Sequence, residues 1–425
     1  MTSKTAPAAE TAVDAEELLL TALDVAEHTL RCGGDVRRVE ETITRICSAF
    51  GAVHIEAFTI TSVIVASVCM PDGTRSQQMR RVHGNSNNLS TLETINSISR
   101  SLCEGKLTLS EAREAVKEAR RKMAYPLWVY YLGAIFAAGG FAVFFGGSVL
   151  DGVAAALCGI VVTWLDKHVF PNVNQVAVTA LSSFVAGLFA SLLVLGGVGD
   201  NVEKVMIGAI MLLIPGVALS VSLQDLFGGE LLSGALRFVH AILLALSVAL
   251  GFSLSMVVAQ APVVESAVPQ DWVVLLTGVI GTIGFSLVFS TKPKHLPFCA
   301  LSGFLSCLLY LLALRYWHCG VFLSNMIGAA AGGLFSAVCA RVRKAPRNIF
   351  IIAAMIPLVP GSGLYYTMAN IVSKNVAEAF TYFTTTLQTA VGISAGFLAV
   401  TALAQVFDYL RENRFKNKNR GNNHG

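Results

Sequence analysis

The chain has 425 residues, 54% of them hydrophobic and only 14% charged, with a formal net charge of +4. That composition excludes an ordinary soluble enzyme and marks a membrane protein. The modest basic excess gathers at the borders of apolar runs, so it is read as a topology signal and not as a nucleic-acid footprint.

Residues 1–14 lack a basic start followed by an apolar core, so a disordered N-terminus that stays in the cytosol is expected, with no cleaved signal. Residues 15–125 hold most of the acids and many of the bases. They are predicted to form a small cytosolic α/β domain with a core of its own. Over 15–50, Leu19, Leu23, Ala26 and Leu30, then Val36, Val39, Ile43 and Ile46, recur at helical spacing on either side of Gly33-Gly34, giving two helices with a break. Arg37, Arg38, Glu40 and Glu41 lie around the second helix start and read as surface ion pairs. Residues 53–70 are rich in Val, Ile, Thr and Phe and end at Pro71-Asp72-Gly73, so a strand, a turn and a returning strand over 74–82 are expected. Helices follow over 89–104 and 110–122, the second capped by Ser110.

Beyond residue 125 a run of about 20 apolar residues suffices to cross a bilayer. Ten runs come close: 127–147, 149–166, 175–197, 204–222, 234–258, 272–290, 296–315, 320–340, 348–370 and 378–407. Bases after every second run support this count: Lys167, Arg237, Lys292 with Lys294, Arg341 with Arg343, and Arg411 with Arg414. The opposite loops offer Asp151, Asp200, Glu203, Glu265 and Asp271 against Lys204, Arg315 and Lys374. Both ends are therefore expected in the cytoplasm.

Two of the runs repeat one pattern. Leu213-Ile214-Pro215-Gly216-Val217-Ala218-Leu219 matches Leu358-Val359-Pro360-Gly361-Ser362-Gly363-Leu364 at an offset of 360 − 215 = 145, which also aligns Gly133 with Gly278, Gly139 with Gly284 and Phe144 with Phe289. A duplication into five plus five spans makes the halves inverted, the plan of many secondary transporters. The expected fold is an α-helical polytopic membrane protein of about ten transmembrane helices in two inverted five-helix repeats. Its repeats cover 126–260 and 270–408, followed by a basic cytosolic tail over 409–425.

Proline removes a helix hydrogen bond and glycine opens the backbone to a solute or a facing helix. A kink for packing is the bland reading, but two breaks at matched positions point to a shared solute site. The candidate substrate-binding residues are Pro215, Gly216, Ser220, Ser222 and Gln224 in the first half, and Pro360, Gly361, Ser362, Tyr365, Asn370 and Gln388 in the second. Their hydroxyls and amides both donate and accept, although Ser and Thr also glue helices together. The candidate proton-coupling residues are Asp225, Glu378, Glu230 and His240, because ionisable groups near membrane depth are costly. Asp225 is expected just past the fourth span. The nine cysteines show no ligand or CxxC spacing, so neither a metal nor a disulfide framework is expected. No GxxxxGK[ST], GxSxG or HExxH occurs, which leaves an ATP-driven engine or a hydrolase without a motif. No cofactor is expected.

Several linked stretches resemble the threonine/serine exporter family in a single-chain form: Arg31 to Thr42, Phe58 to Gly73, Asn88 through Ala112, Pro215 to Leu219 with Gln224-Asp225-Leu226, Gly234 and Arg237, and Pro357 to Tyr365. Before Val36, where many relatives place Ser or Thr, this chain has Asp35. The resemblance implies export of threonine and serine across the cytoplasmic (inner) membrane driven by the proton gradient, with the amino acid, protons and the lipid bilayer as partners. Two-subunit relatives imply dicarboxylate export as an alternative. A membrane-anchored sensor or enzyme using the cytosolic domain is an alternative of another class, and a homo-oligomer remains open.

Overall fold

The computed structural model describes residues 14–84, 88–121, 125–169, 173–259 and 269–422. Of the stretch 1–14 expected to be disordered, residues 1–13 lie outside them, as does the acid Glu265, and Asp14 is ordered, accepting the Glu16 N–H as the cap of the first helix. The chain divides into two compact units, Met1–Ala124 and Tyr125–Gly425.

In the first unit α1 (Ala15–Arg31) and α2 (Val36–Ala49) flank the Gly33-Gly34 break. Gly33 sits at a φ of 93°, a left-handed geometry that favours glycine. Asp35 caps α2 by accepting the Arg38 N–H at 2.8 Å, the work that Ser or Thr does at such a position. Arg37 and Glu41 form an exposed pair at 3.4 Å, as the sequence suggests. Arg38 and Glu40 do more: Arg38 donates to Asn96 Oδ1 and Glu40 accepts the Thr59 N–H, both at 2.8 Å. Burial lowers the Arg38 guanidinium from its ordinary range.

The stretch 53–70 is two strands, not one. β1 (His54–Ile60) and β2 (Val63–Cys69) pair antiparallel, with β3 (Arg75–Arg81) on the other side of β2. The intervening Thr61-Ser62 turn carries no Gly, Asn or Pro to announce it. Alternation along β2 buries Ile64, Ala66 and Val68 against Leu18, Leu23, Ile43 and Ile46. Two helices complete the unit, α3 (Leu89–Cys103) and α4 (Leu109–Arg121). Thr108, not Ser110, caps α4: its N–H reaches Glu111 Oε2 at 2.8 Å and its hydroxyl accepts the Glu111 N–H at 3.3 Å. The Thr-x-x-Glu spacing of a capping box decides that register.

The second unit is helical. Its first part holds α5 (Leu127–Phe144), α6 (Val149–Trp164), α7 (Gln175–Leu195), α8 (Val202–Ile210), α9 (Gly216–Phe227) and α10 (Leu231–Ala259). The second holds α11 (Asp271–Val288), α12 (Leu296–Leu311), α13 (Val321–Arg343), α14 (Asn348–Met355), α15 (Gly361–Val372) and α16 (Val376–Asn422). Among the described residues eight helices are long and apolar enough to cross a membrane, and nine stretches qualify if the pair Asn348–Leu358 and Gly361–Ile371, bent by 47°, counts as one. In each of the eight, 39–44% of the apolar window is buried within the protein. The remaining apolar surface, with Trp128, Leu192, Leu250 and Trp272 exposed, far exceeds what water tolerates and suits lipid. This is a multi-pass membrane protein.

The expected span 204–222 is not continuous. It divides into α8 and α9 around Met211–Pro215, and α8 alone reaches only roughly 14 Å at about 1.5 Å per residue. Pro215 and Pro360 each stand as the N-cap residue of the helix that follows, because a ring without an N–H loses nothing where the first helical N–H groups are unpaired anyway. Both α6 and α12 widen into a π turn at their ends, Leu165–Val169 and Leu312–Tyr316. The two parts meet along α5 and α11, where a Cβ on Gly133 would stand 2.9 Å from the Gly284 carbonyl. Small residues there allow backbone contact, the form of helix association that works without a hydrophobic drive in lipid.

Candidate functional site

The two Pro-Gly breaks face each other. A Cβ on Gly216 would collide with Val359 Cγ1, and one on Gly361 would collide with Met211 Sδ and lie 3.7 Å from Ile214 Cδ1. Val359, the residue before Pro360, thus sits over Gly216, and Met211 covers Gly361 with Ile214, the residue before Pro215, in ordinary contact beside it. The chain ends its hydrogen-bonded helix early at both places: Ile214 N–H returns to the Ile210 carbonyl at 2.9 Å, and Val359 N–H to the Met355 carbonyl at 3.1 Å. Pro215, Gly216, Pro360 and Gly361 are therefore brought together.

Ser220 and Ser222 are fully buried on α9. Ser222 donates to the Leu219 carbonyl at 2.7 Å, whereas the Ser220 hydroxyl meets no partner among the described residues. The Ser220 carbonyl accepts from Ser394 of α16 at 2.9 Å, tying the first part to the second. Tyr365, 145 positions after Ser220 (365 − 220), is buried and lines an apolar cleft with Ile210, Ile214, Phe252 and Met256. Gln224 and Ser362 are half-buried, and Asn370 donates to the Tyr366 carbonyl at 2.9 Å.

The proposed coupling residues are dispersed. Asp225 lies in the last turn of α9, and its carboxylate meets Arg237 of α10 at 3.3 Å with both side chains at least four-fifths buried. Glu230 follows in the turn, its N–H donating to the Asp225 carbonyl. His240 is exposed on α10, and Glu378 and Gln388 are exposed on α16. The helix faces set this outcome, since helices apolar all round do not declare an inward side in sequence.

A cluster that the sequence did not single out lies between α8 and α15. Lys204 Nζ donates to Tyr366 Oη at 2.9 Å and stands 3.5 Å from Glu203 Oε1, and the Tyr366 hydroxyl donates to the same carboxylate. The Tyr366 ring stacks on Tyr382 at 4.9 Å and meets Tyr365 edge-on at 5.4 Å. The loop before it is fixed by Asp151, buried, which accepts the N–H groups of Asp200 and Asn201 at 2.7 and 2.8 Å. The signal that was available is the Tyr365-Tyr366 pair one turn past a repeated break. By sequence alone Glu203 and Lys204 read as loop charges.

A polytopic helical membrane protein built around two facing broken helices is the class so defined. The chain belongs to the threonine/serine exporter family, a family of transporters: the model described as "Putative threonine/serine exporter" matches residues 21–259, and a second, "Threonine/Serine exporter", matches 274–403. It is 22% identical over 410 residues to a "Probable threonine/serine exporter" of Mycobacterium tuberculosis, covering 91% of this chain and 76% of that one. It is 24% identical over 324 residues to a "Threonine/serine exporter" of Corynebacterium glutamicum, covering 73% and 66%. No solved structure matches the chain.

Proposed function

We propose that this chain is a secondary exporter of small amino acids, threonine and serine, that works across the cytoplasmic (inner) membrane by exchange with protons. The observation that carries this reading is the seating of the two breaks against each other, Val359 over Gly216, and Met211 with Ile214 beside it over Gly361. Under the 145-residue offset the pairs Val359–Gly216 and Ile214–Gly361 correspond, since 359 − 214 and 361 − 216 both equal 145. An axis relating two inverted halves produces such a pair. The recurrent π turns and the glycine-lined contact of α5 with α11 support the same symmetry. If α8 with α9 and α14 with α15 each cross once, the eight long helices become ten crossings, and both termini face the cytoplasm. Residues 15–125 then form a cytosolic domain before repeats over 126–260 and 270–408.

The solute site in this reading is the ground between the breaks, with Ser220, Ser222, Gln224, Ser362, Tyr365 and Asn370 around it. Asp225, held against Arg237, is the favoured coupling residue, ahead of Glu378, Glu230 and His240. Breaks of this kind leave backbone groups to be met by protein or by a watery cavity, which suits a path for a polar solute. The test is efflux of labelled threonine, serine and succinate from proteoliposomes of the purified protein, with and without an imposed pH gradient. Saturable amino-acid flux that responds to the gradient is expected. Succinate flux alone would place the protein among dicarboxylate exporters, and no flux of any of the three would overturn the transport reading.

A further inference from the structure

We propose that Glu203, Lys204 and Tyr366 form an ionic station that takes both charged ends of a zwitterionic amino acid, the carboxylate at Lys204 and the ammonium at Glu203. The inference rests on the exporter reading and adds to it the chemistry of recognition. Lys204 and Glu203 keep only 10% and 15% of their side-chain surface exposed. A buried ion pair contributes little net stability, because desolvation offsets the attraction. Its presence at the junction of α8 and α15, elements from the two halves, calls for another explanation. Among the described residues the three Lys204 ammonium donors meet two acceptors, Glu203 and Tyr366, so the group retains capacity for a third.

Spacing supplies the selectivity. The two charges stand 3.5 Å apart with opposite signs. An α-amino acid carries its ammonium and carboxylate on one carbon, so laid antiparallel it meets an opposite charge at each end. A dicarboxylate would set a like charge against Glu203, and a simple amine would leave Lys204 facing no anion. The Tyr366 hydroxyl touches both members and can pass its hydrogen bond from Glu203 to an incoming carboxylate. Beside it Tyr365 lines the apolar cleft with Ile214 and Met256, the side on which a short apolar side chain would lie. With no solute the two charges satisfy one another, so the empty protein never buries a bare ion.

The experiment compares threonine with threonine methyl ester, which lacks the anion, and N-acetylthreonine, which lacks the cation. Each is read twice, as an inhibitor of labelled threonine efflux and by the thermal stabilisation it gives the purified full-length protein. The wild type is expected to prefer threonine over either analogue by roughly 10- to 100-fold, the worth of one charge-assisted contact. In Lys204→Met the ester is expected to draw level with threonine while discrimination against the acetyl compound stays. Glu203→Gln should do the converse. Wild type that accepts both analogues as well as threonine overturns the proposal even if neither variant folds, as do variants whose discrimination is unchanged. A protein that moves threonine with unchanged ratios keeps the exporter reading and loses the station. One that binds with the expected ratios but moves nothing keeps the station and loses the exporter reading.

Discussion

Replacing Gly216 by Ala tests whether the two breaks must touch. The added methyl would meet Val359 Cγ1 well inside contact, with Val359 Cβ tight at 3.3 Å and Cγ2 at an ordinary 3.5 Å. Valine is stiff at χ1, so it yields less easily than an unbranched side chain. Overpacking of this kind costs about 1–3 kcal/mol, which lowers the population of the touching conformation roughly 5- to 150-fold. Gly361→Ala meets Met211 Sδ, the middle of a flexible thioether, with Met211 Cε at 3.5 Å. Methionine yields more easily, so this substitution is expected to cost less. The assay is the initial rate of labelled threonine efflux from proteoliposomes at matched protein content, alongside the melting temperature of each purified variant. Gly216→Ala should slow efflux at least about fivefold, and adding Val359→Ala, which removes the colliding carbons, should recover most of the loss. Wild-type efflux in Gly216→Ala, or a double variant no better than the single one, would refute the reasoning.

Asp225→Asn removes the carboxylate that faces the largely buried Arg237, a loss of about 3–5 kcal/mol that should reduce the yield of folded protein, and Asp225→Asn with Arg237→Gln should restore much of it. In surviving protein, gradient-driven accumulation is expected to vanish while exchange persists; pH-driven transport left intact ends the coupling role of Asp225. Thr108→Ala removes the α4 cap and should cost about 1 kcal/mol, read as faster amide exchange over residues 109–121 in the full-length protein, with Ser110→Ala near neutral. Burial pushes the thiols of Cys32 and Cys47 from 9.0 up to about 11, so both stay protonated at pH 8 and should resist alkylation that modifies the half-buried Cys69. Because the folded values are the higher ones, this contribution to stability is complete below about pH 9 and is lost as the pH rises through about 11. Equal labelling of the three thiols at pH 8 would contradict it.

Sequence alone determined the membrane character, the repeated Pro-Gly breaks and the helices of the first unit, because each rests on local chemistry: apolar length, a missing N–H, a capping side chain. The turn at Thr61-Ser62 escaped it, since neither residue demands a turn and only pairing of β1 with β2 makes one. The extent of the first break, Met211–Pro215 between α8 and α9, escaped it as well, because hydropathy runs straight through those residues. Tertiary structure alone decided which polar residues matter together. It seated Val359 over Gly216, placed Asp225 against Arg237, turned His240, Glu378 and Gln388 outward, and drew Glu203 and Lys204 to Tyr366 across 162 positions of chain from Lys204. A helix that is apolar all round carries no mark of its inward face, and contacts between distant segments exist only once the helices have packed.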